Sequence, residues 1–223
     1  YVIQDINLFL DAFTHKSYCI SDSESIQYEN LKRENSYERL EFLGDSILDS
    51  VIAEYLFKRF SNDEGFLTKI KIRLVNGEQL AKLSLELGFN EFILISKSVE
   101  DKYSCRTNTS ILEDVFESFI GALYLDCDDY KLVQKFIINV YEDKIDFPEL
   151  ILNDTNYKEQ ISKYLQHNHN SYPTYTHNEK DKDMFSCQLI FDKNIISTGF
   201  GKTKKKAEQN AAYRSLIYYN VLS

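Results

Sequence analysis

Acidic residues recur at helical spacing in two strongly apolar segments of the chain. Glu38, Glu41 and Asp45 occupy positions i, i+3 and i+7 of the first segment, so their side chains line one stripe of a helix. Asp114 and Glu117 have i, i+3 spacing in the second segment. Carboxylates are costly to place within apolar helices unless something compensates their charge. A divalent cation such as Mg²⁺ or Mn²⁺ is a suitable compensator, because it prefers hard oxygen ligands.

Two helices that each present acidic side chains can converge on one metal ion. Such an ion would activate and orient a water molecule and neutralise charge on a phosphate, which is what hydrolysis of a phosphodiester requires. The spacing alone leaves a second interpretation open, because acid pairs on helices are most often solvated surface groups. Gly44 favours the first interpretation, since a glycine within a helix costs about 1 kcal/mol relative to alanine and usually marks a close packing contact.

Hydrophobic periodicity predicts the helices that must position these acids. Apolar residues recur at helical spacing over residues 35–60 and 110–125. We expect Asn35 or Ser36 to cap the first helix and residues 108–110 to cap the second. Further helices are expected at residues 67–74, 77–87 and 130–141, with glycines between them. The first part of the chain is therefore expected to be an all-α domain.

The hydrophobic period changes after Pro148, which is expected to end any preceding helix. Phe185, Cys187, Leu189 and Phe191 alternate with other residues in the pattern of a strand. The remaining pattern predicts a helix at 156–167, strands at 174–177 and 195–200, and a helix at 203–219. The order α-β-β-β-α predicts a small α+β domain, with helices on one face of an antiparallel sheet.

Charge divides the chain in the same place. The net charge of −9 argues at first against a nucleic-acid partner. However, residues 1–153 carry 16 Lys and Arg against 28 Asp and Glu, whereas residues 154–223 carry 10 against 7. The first part therefore has a net charge of −12 and the second of +3. We predict a domain at 1–145, a linker at 146–153 and a second domain at 154–223.

Cysteine usage and hydropathy bear on the cellular setting. The four cysteines lack the spacing of a zinc site, so free thiols in a reducing compartment are expected. No apolar run is long enough for a transmembrane helix, and the first residues lack a signal-peptide pattern. We expect an intracellular protein, in cytoplasm or nucleus, without a membrane partner.

Residues 38–48, with the sequence ERLEFLGDSIL, resemble the signature of the ribonuclease III family. Three further blocks resemble family motifs in the same order: AFTHKSY at 12–18, EGFLT at 64–68 followed by RLV at 73–75, and ILEDVFESFIGA at 111–122. The resemblance extends over nearly all of residues 5–145. It implies the ribonuclease III fold for the all-α domain.

The resemblance also implies an activity and the residues that carry it. Glu41, Asp45, Asp114 and Glu117 match the family's metal-binding catalytic acids, and Glu38 would be a secondary acidic contributor. The family hydrolyses double-stranded RNA with Mg²⁺, for which Mn²⁺ can substitute, leaving 5′-phosphate and 3′-hydroxyl ends with short 3′ overhangs. Its catalytic domains pair, so a homodimer is implied. Phe42 matches a position that packs across the family's dimer interface. The alternative, that Phe42 is an ordinary core aromatic residue, is left open.

The C-terminal part resembles a double-stranded RNA-binding domain, most clearly in GFGKTKKKAEQNAA at 199–212. By this resemblance Lys202, Lys204, Lys205 and Lys206 would bind RNA phosphates, aided by the positive N-terminal end of a helix. The alternative is a solvated lysine run. Two positions depart from the family pattern: Ser162 and Lys163 replace its Gln-Glu pair, and the loop at 178–183 lacks its Pro and His. We interpret His167, His169 and His177 as surface residues.

Two other classes of function compete with an active nuclease. One is a non-catalytic double-stranded-RNA-binding or ribosome-associated protein of the same fold, although such decay normally loses the acids that this chain retains. The other is an unrelated helical metallohydrolase, which the RNA-binding segment disfavours. The biological role is left open between maturation of structured RNA and production of small RNAs by a minimal Dicer-like enzyme, as in RNA interference.

Overall fold

The computed structural model describes residues 1–20, 33–100, 104–152, 156–181 and 184–222. The chain forms two compact units, Tyr1–Leu150 and Ile151–Ser223. All four cysteines are free thiols, and Cys105 and Cys187 are buried. None of the helices in the described ranges combines the length and the apolar character that crossing a bilayer requires.

The first unit is helical, as the sequence predicts. In the described residues, the α-helices that begin in this unit are α1 (Ile6–Ala12), α2 (Lys16–Ile20), α3 (Glu38–Arg59), α4 (Glu64–Leu74), α5 (Gly77–Glu86), α6 (Lys97–Glu100), α7 (Thr109–Cys127), α8 (Tyr130–Lys144) and α9 (Phe147–Leu152). Short 3₁₀ turns at Phe89–Glu91 and Cys105–Thr107 lie between them. The helical periodicity therefore predicted the long helices and missed four short ones, α1, α2, α6 and α9.

Helices α3 and α7 form the centre of this unit. Val51 and Ile52 of α3, and Val115, Phe116 and Ile120 of α7, are completely buried. Burial of each such side chain stabilises the fold by about 1.5–3 kcal/mol. The two helices that carry the acids are therefore held together by the core of the unit.

The start of α7 is as predicted, whereas the start of α3 is not. The Ile111 amide donates to the side-chain oxygen of Asn108, 3.2 Å away, which caps α7. The prediction that Asn35 or Ser36 caps α3 is wrong, because the residue before α3 is Tyr37, which makes no side-chain capping bond. The Asn35 amide group instead donates to the carboxylate of Asp11, and the Ser36 hydroxyl to that of Glu38.

A short helix, α9, occupies most of the segment predicted as a linker at 146–153. Pro148 is its second residue, where a proline needs no backbone hydrogen bond. Phe147 is buried, and its ring lies 4.3 Å from the guanidinium carbon of Arg59 on α3. The beginning of this segment is thus packed on the first unit.

The second unit has the predicted order α-β-β-β-α. It contains α10 (Tyr157–His169), β1 (Thr174–Asp181), β2 (Met184–Phe191), β3 (Asn194–Gly201) and α11 (Lys204–Tyr218). The strands form an antiparallel sheet in the order β1-β2-β3, and Cys187 of β2 pairs with His177 on one side and Gly199 on the other. One core joins the sheet to both helices, through Ile161, Leu165, Leu189, Phe191, Ala211, Ala212 and Leu216.

Candidate active site and RNA interface

Two glycines let α3 and α7 approach backbone to backbone. A Cβ atom at Gly44 would lie 1.7 Å from the carbonyl oxygen of Glu117, and one at Gly121 would lie 2.3 Å from that of Leu40. No other residue type fits at either position without moving the helices apart. Gly44 is therefore the close packing contact that the sequence predicts, and its contact partner is itself one of the acidic residues.

This contact brings the acids of the two helices into one electrostatic cluster. The pKa of Glu117 is raised to about 8, mainly by burial and then by the negative charges of Asp45, Glu113, Glu41 and Asp114, in that order of size. Glu117 is only 8% exposed. In the described part of the chain, its carboxylate has neither a hydrogen bond nor an ion pair. Among the described residues, nothing therefore compensates a negative charge on Glu117.

The other three acids share this environment. Burial raises the pKa of Glu41, and the nearby charge of Asp114 adds to the effect. Burial also raises the pKa of Asp114, whereas a hydrogen bond from Tyr37 opposes that rise. The pKa of Asp45 is raised by burial and by Asp49, with Lys71 acting in the opposite direction. All four acids therefore favour a positive ion nearby.

Glu38 differs from these four acids. It is exposed, and its carboxylate oxygen lies 3.2 Å from the Lys16 ammonium. The hydrogen bond from Lys16 is the main reason that the pKa of Glu38 is lowered. Glu38 thus lies at the edge of the cluster with its charge already paired.

The structure adds residues that the sequence interpretation did not select. Burial raises the pKa of Glu113, and Asp114 and Asp45 raise it further, so it belongs to the cluster. Its i, i+4 spacing to Glu117 could have identified it. Nζ of Lys71 on α4 lies 2.8 Å from Oδ2 of Asp49 on α3, and this places a cation near Asp45. No local spacing predicts that contact, because it joins two separate helices.

A lysine run opens α11 in the second unit. Lys202, Lys204, Lys205 and Lys206 are all exposed, and the last three form the first turn of the helix. The Lys206 amide donates to the hydroxyl of Thr203 at 3.1 Å, which caps the helix. The amides of Lys204 and Lys205 do not take part in this capping bond. The Lys204 ammonium lies 5.8 Å from the centre of the Phe185 ring.

Glycines of β3 hold this end of α11 close to the sheet. A Cβ atom at Gly199 would lie 2.2 Å from the amide nitrogen of Ala211, and one at Gly201 would lie 2.7 Å from that of Ala207. The lysines therefore project from a helix whose inner side is fixed against β3. Gly199 and Gly201 thus permit the close contact between β3 and α11 as well as lying at the end of the strand.

Three further predictions about this unit have mixed outcomes. His167 and His169 are exposed, as expected, but His177 is half-buried and its Nε2 lies 2.8 Å from a carboxylate oxygen of Glu208. Ser162 and Lys163 lie on α10, and Lys163 forms an ion pair with Glu159 one turn earlier. The centre of the altered loop, residues 182–183, lies outside the described residues.

The domains of the chain match two known families. Residues 5–143 match the ribonuclease-III-like family, and residues 157–219 match the double-stranded RNA binding motif. The chain is 36% identical over 221 residues to a ribonuclease 3 of Staphylococcus aureus, and the alignment covers 95% of this chain and 85% of that protein. The chain belongs to the ribonuclease III family. Together with the RNA-binding motif, this membership makes it an endoribonuclease that acts on double-stranded RNA.

Solved structures of the family agree with the fold of the first unit. A nuclease domain of ribonuclease III from Campylobacter jejuni is 36% identical in sequence to this chain, and the two structures align with a TM-score of 0.56. The alignment covers 66% of this chain and 92% of the Campylobacter chain. The Campylobacter domain shows structural flexibility in a region involved in dimer formation. A second structure of the same domain has a TM-score of 0.55 at the same identity and coverage.

The donor set fits the divalent ion that ribonuclease III chemistry implies. The acids of α3 and α7 supply only carboxylate oxygens, which suit Mg²⁺ or Mn²⁺, and Glu117 lacks a partner in the described residues. Among those residues, no group of three or more acidic, His or Cys side chains lies close enough together to hold a metal ion.

Phe42 has the exposure of an interface residue. It lies on α3 between Glu41 and Leu43, and 79% of its surface is exposed. The alternative that it is a core aromatic is therefore wrong for this protomer. A cavity beside it is lined by apolar and polar side chains, including Leu8, Leu40, Leu43 and Leu125.

Proposed function

We propose that this ribonuclease III family member cleaves double-stranded RNA in a Mg²⁺-dependent reaction, with Glu41, Asp45, Asp114 and Glu117 as the metal ligands. The observation that carries the proposal is Glu117, a buried carboxylate without a partner in the described residues. Its pKa of about 8 means that the protein alone does not stabilise its ionised form at neutral pH. A divalent ion provides the charge that this form requires.

The chain's own residues would divide the remaining work. A bound Mg²⁺ would supply the activated water and the positive charge that phosphodiester hydrolysis needs. Asp45 and Glu117 approach each other because Gly44 lets their helices touch, and they would orient the ion against the scissile phosphate. Glu38, already paired with Lys16, would contribute only to the negative field around the site. The products would carry 5′-phosphate and 3′-hydroxyl ends.

The second unit would hold the duplex through its phosphates. Lys202, Lys204, Lys205 and Lys206 provide four exposed ammonium groups at the start of α11. A helix N-terminus adds free amides and a partial positive charge, which also favour phosphate. Such contacts recognise the spacing of the RNA backbone rather than its sequence. In this division of labour, residues 1–145 cut the RNA and residues 154–223 bind it, with residues 146–153 between them.

A homodimer would bring two catalytic units to one duplex. The exposed Phe42 ring on α3 provides an apolar anchor for a second copy, and the cavity beside it offers apolar lining residues. Dimer formation is a property of the related Campylobacter nuclease domain. Two sites related by a two-fold axis would cut the two strands a short distance apart and leave 3′ overhangs.

The decisive experiment compares the wild type with Asp45→Asn and Glu117→Gln on a long perfect RNA duplex. With Mg²⁺ present, we expect new 5′-phosphate ends from the wild type and a loss of at least about a thousandfold from either variant, because each change removes a charge from the metal ligands. Affinity for the duplex in a gel-shift assay should remain within about twofold, since the lysines are untouched.

Glu91→Gln is the matched control, because Glu91 is an exposed acid away from the cluster. It should cleave at the wild-type rate. Cleavage at that rate by Asp45→Asn or Glu117→Gln would contradict the assignment of the acids. The sizes of the products separate the two biological roles: one sharp small-RNA band favours a Dicer-like role, and an irregular ladder favours maturation of structured RNA.

A further inference from the structure

Tyr37 occupies a buried junction next to the acidic cluster. It immediately precedes α3 and is only 4% exposed. Its amide donates to the carbonyl oxygen of Thr14 at 2.9 Å, and its ring packs edge-on against His15 with the ring centres 5.8 Å apart. Tyr37 is therefore held through its backbone by Thr14 and through its ring by His15, in addition to any contact of its hydroxyl.

The Tyr37 hydroxyl reaches the other helix of the site. It donates to Oδ2 of Asp114 on α7 at a distance of 3.1 Å. In the described ranges, this is the only hydrogen bond made by the side chain of any of the four proposed metal ligands. Tyr37 thus contacts Asp114 directly, although seventy-seven positions separate the two in the chain.

A hydrogen bond of this kind restricts how a carboxylate can turn. The phenol engages Oδ2 of Asp114, so Oδ1 stays available and the carboxylate keeps one orientation. Residues that support metal ligands in this way fix the ligand orientation before the ion arrives. A phenol is neutral near pH 7, because its ordinary pKa is about 10. It can therefore hold Asp114 without adding a positive charge that would compete with a cation.

We propose that Tyr37 is a positioning residue that holds Asp114 ready for the metal ion. This inference rests on the proposed function, in which Asp114 is a ligand. Tyr37 also connects Asp114 to the segment containing Thr14 and His15, through its backbone amide and its ring respectively, which assigns that segment a part in supporting the site. Tyr37 itself does not touch the substrate or the ion in this proposal.

The test is Tyr37→Phe, which removes one hydroxyl and leaves the buried ring in place. We expect the variant to need about tenfold more Mg²⁺ for half-maximal cleavage, the lower end of the usual loss when a ligand's supporting hydrogen bond is removed. The KM for duplex RNA should not change, and saturating Mg²⁺ should restore most of kcat. Without RNA, the midpoint of Mn²⁺-induced thermal stabilisation should rise by a similar factor.

Tyr55→Phe is the matched control. The Tyr55 hydroxyl also donates to a carboxylate, that of Glu142, which lies outside the acidic cluster. Removal of that hydroxyl should leave both metal midpoints at their wild-type values. A comparison of Asp114→Asn with the double variant Tyr37→Phe/Asp114→Asn tests whether Tyr37 acts through Asp114, because the second change should then shift the Mn²⁺ midpoint no further.

The outcomes distinguish this inference from the proposed function. If Mn²⁺ stabilises the wild type, Asp114→Asn weakens that effect and Tyr37→Phe matches the wild type, the role of Tyr37 is refuted alone. A lower melting temperature for Tyr37→Phe with an unchanged metal midpoint also refutes it, since that pattern indicates packing only. If Asp114→Asn leaves the Mn²⁺ midpoint of the wild type unchanged, the ligand assignment fails and the inference fails with it.

Discussion

The two charged regions of this protein are built in opposite ways. The acids of the first unit lie between α3 and α7, where Glu117 is buried and the helix backbones touch at Gly44 and Gly121. The lysines of the second unit lie on the exposed first turn of α11. Both regions depend on glycines packed against a helix backbone. In the first unit, however, the acidic side chains lie at the contact between the two helices, whereas in the second unit the lysine side chains lie on the exposed side of α11.

This difference separates the demands of catalysis from those of binding. A metal site needs several carboxylates brought close together, and their repulsion opposes the packing that brings them there. A phosphate-binding surface needs charges in water, where each costs the fold little. Substitutions in the acidic cluster should therefore alter stability and activity together, whereas substitutions of the lysines should alter binding alone.

Among the variants that test this comparison between the two regions, Gly44→Ala should have the largest effect, and it tests the helix contact. The new Cβ would overlap the carbonyl oxygen of Glu117, a backbone atom that cannot turn aside. We expect the free energy of unfolding to fall by about 3 kcal/mol, at the upper end for overpacked cores. Cleavage should fall at least about a hundredfold, because Asp45 and Glu117 move apart. Denaturant titration and a duplex cleavage assay measure the two effects.

Gly65→Ala is the control for this prediction. A Cβ at Gly65 would meet only Asp63 Oδ1 at 3.5 Å, an ordinary contact. This variant should retain activity and lose no stability, because alanine has the higher helix propensity. If Gly44→Ala kept wild-type stability and cleavage, the close contact between α3 and α7 would not be what assembles the acidic cluster.

The double variant Lys204→Ala/Lys205→Ala tests the other side of the comparison. We expect at least about tenfold weaker binding of duplex RNA near physiological salt, and a salt dependence reduced by about one unit of slope per lysine. The free energy of unfolding should change by less than about 0.5 kcal/mol, since both side chains are exposed. Gel shifts at several salt concentrations and a denaturant titration provide the measurements.

Lys131→Ala/Lys135→Ala removes the same charge from two exposed positions of α8. It should leave RNA affinity and its salt dependence near the wild-type values. An equal loss of affinity in this control would mean that total charge, rather than the start of α11, determines binding.

The smallest effect expected is a gain in stability from Glu117→Gln without metal. The folded pKa of Glu117, about 8, lies above its ordinary value of 4.5. The folded protein therefore keeps a proton that the unfolded chain loses, and stability falls as pH rises between these values. Glutamine carries no charge, so the variant should be more stable than the wild type at pH 8.5, where the wild type bears the cost of ionising Glu117.

Thermal melts in chelator at pH 5.5 and pH 8.5 measure this difference. The gap between variant and wild type should widen at the higher pH, while Glu91→Gln follows the wild type at both. If the difference in melting temperature narrowed as pH rises, ionisation of Glu117 would not destabilise the folded protein. The contrast between the two charged regions would then lose its energetic basis.

The sequence predicted most of what depends on short-range patterns. The helices around Glu41 and Asp114, the α-β-β-β-α order and the cap at Asn108 follow from periodicity and capping rules, and the structure contains them. The wrong cap for α3 has a tertiary cause, because the Asn35 amide group is occupied by Asp11 of another helix. Short helices such as α9 lack enough turns for a hydrophobic period to be visible.

By itself, the sequence determined which residues can do chemistry: acids on one stripe of each helix, lysines after a Gly-x-Gly, and a glycine within a helix. The tertiary structure decided which of them meet. Glu113 joins the cluster, Tyr37 reaches Asp114, and Phe42 is exposed because α3 turns its other side to the core. The physical reason is that spacing along a helix determines only which residues share one face of that helix. Packing between helices determines which residues that face contacts.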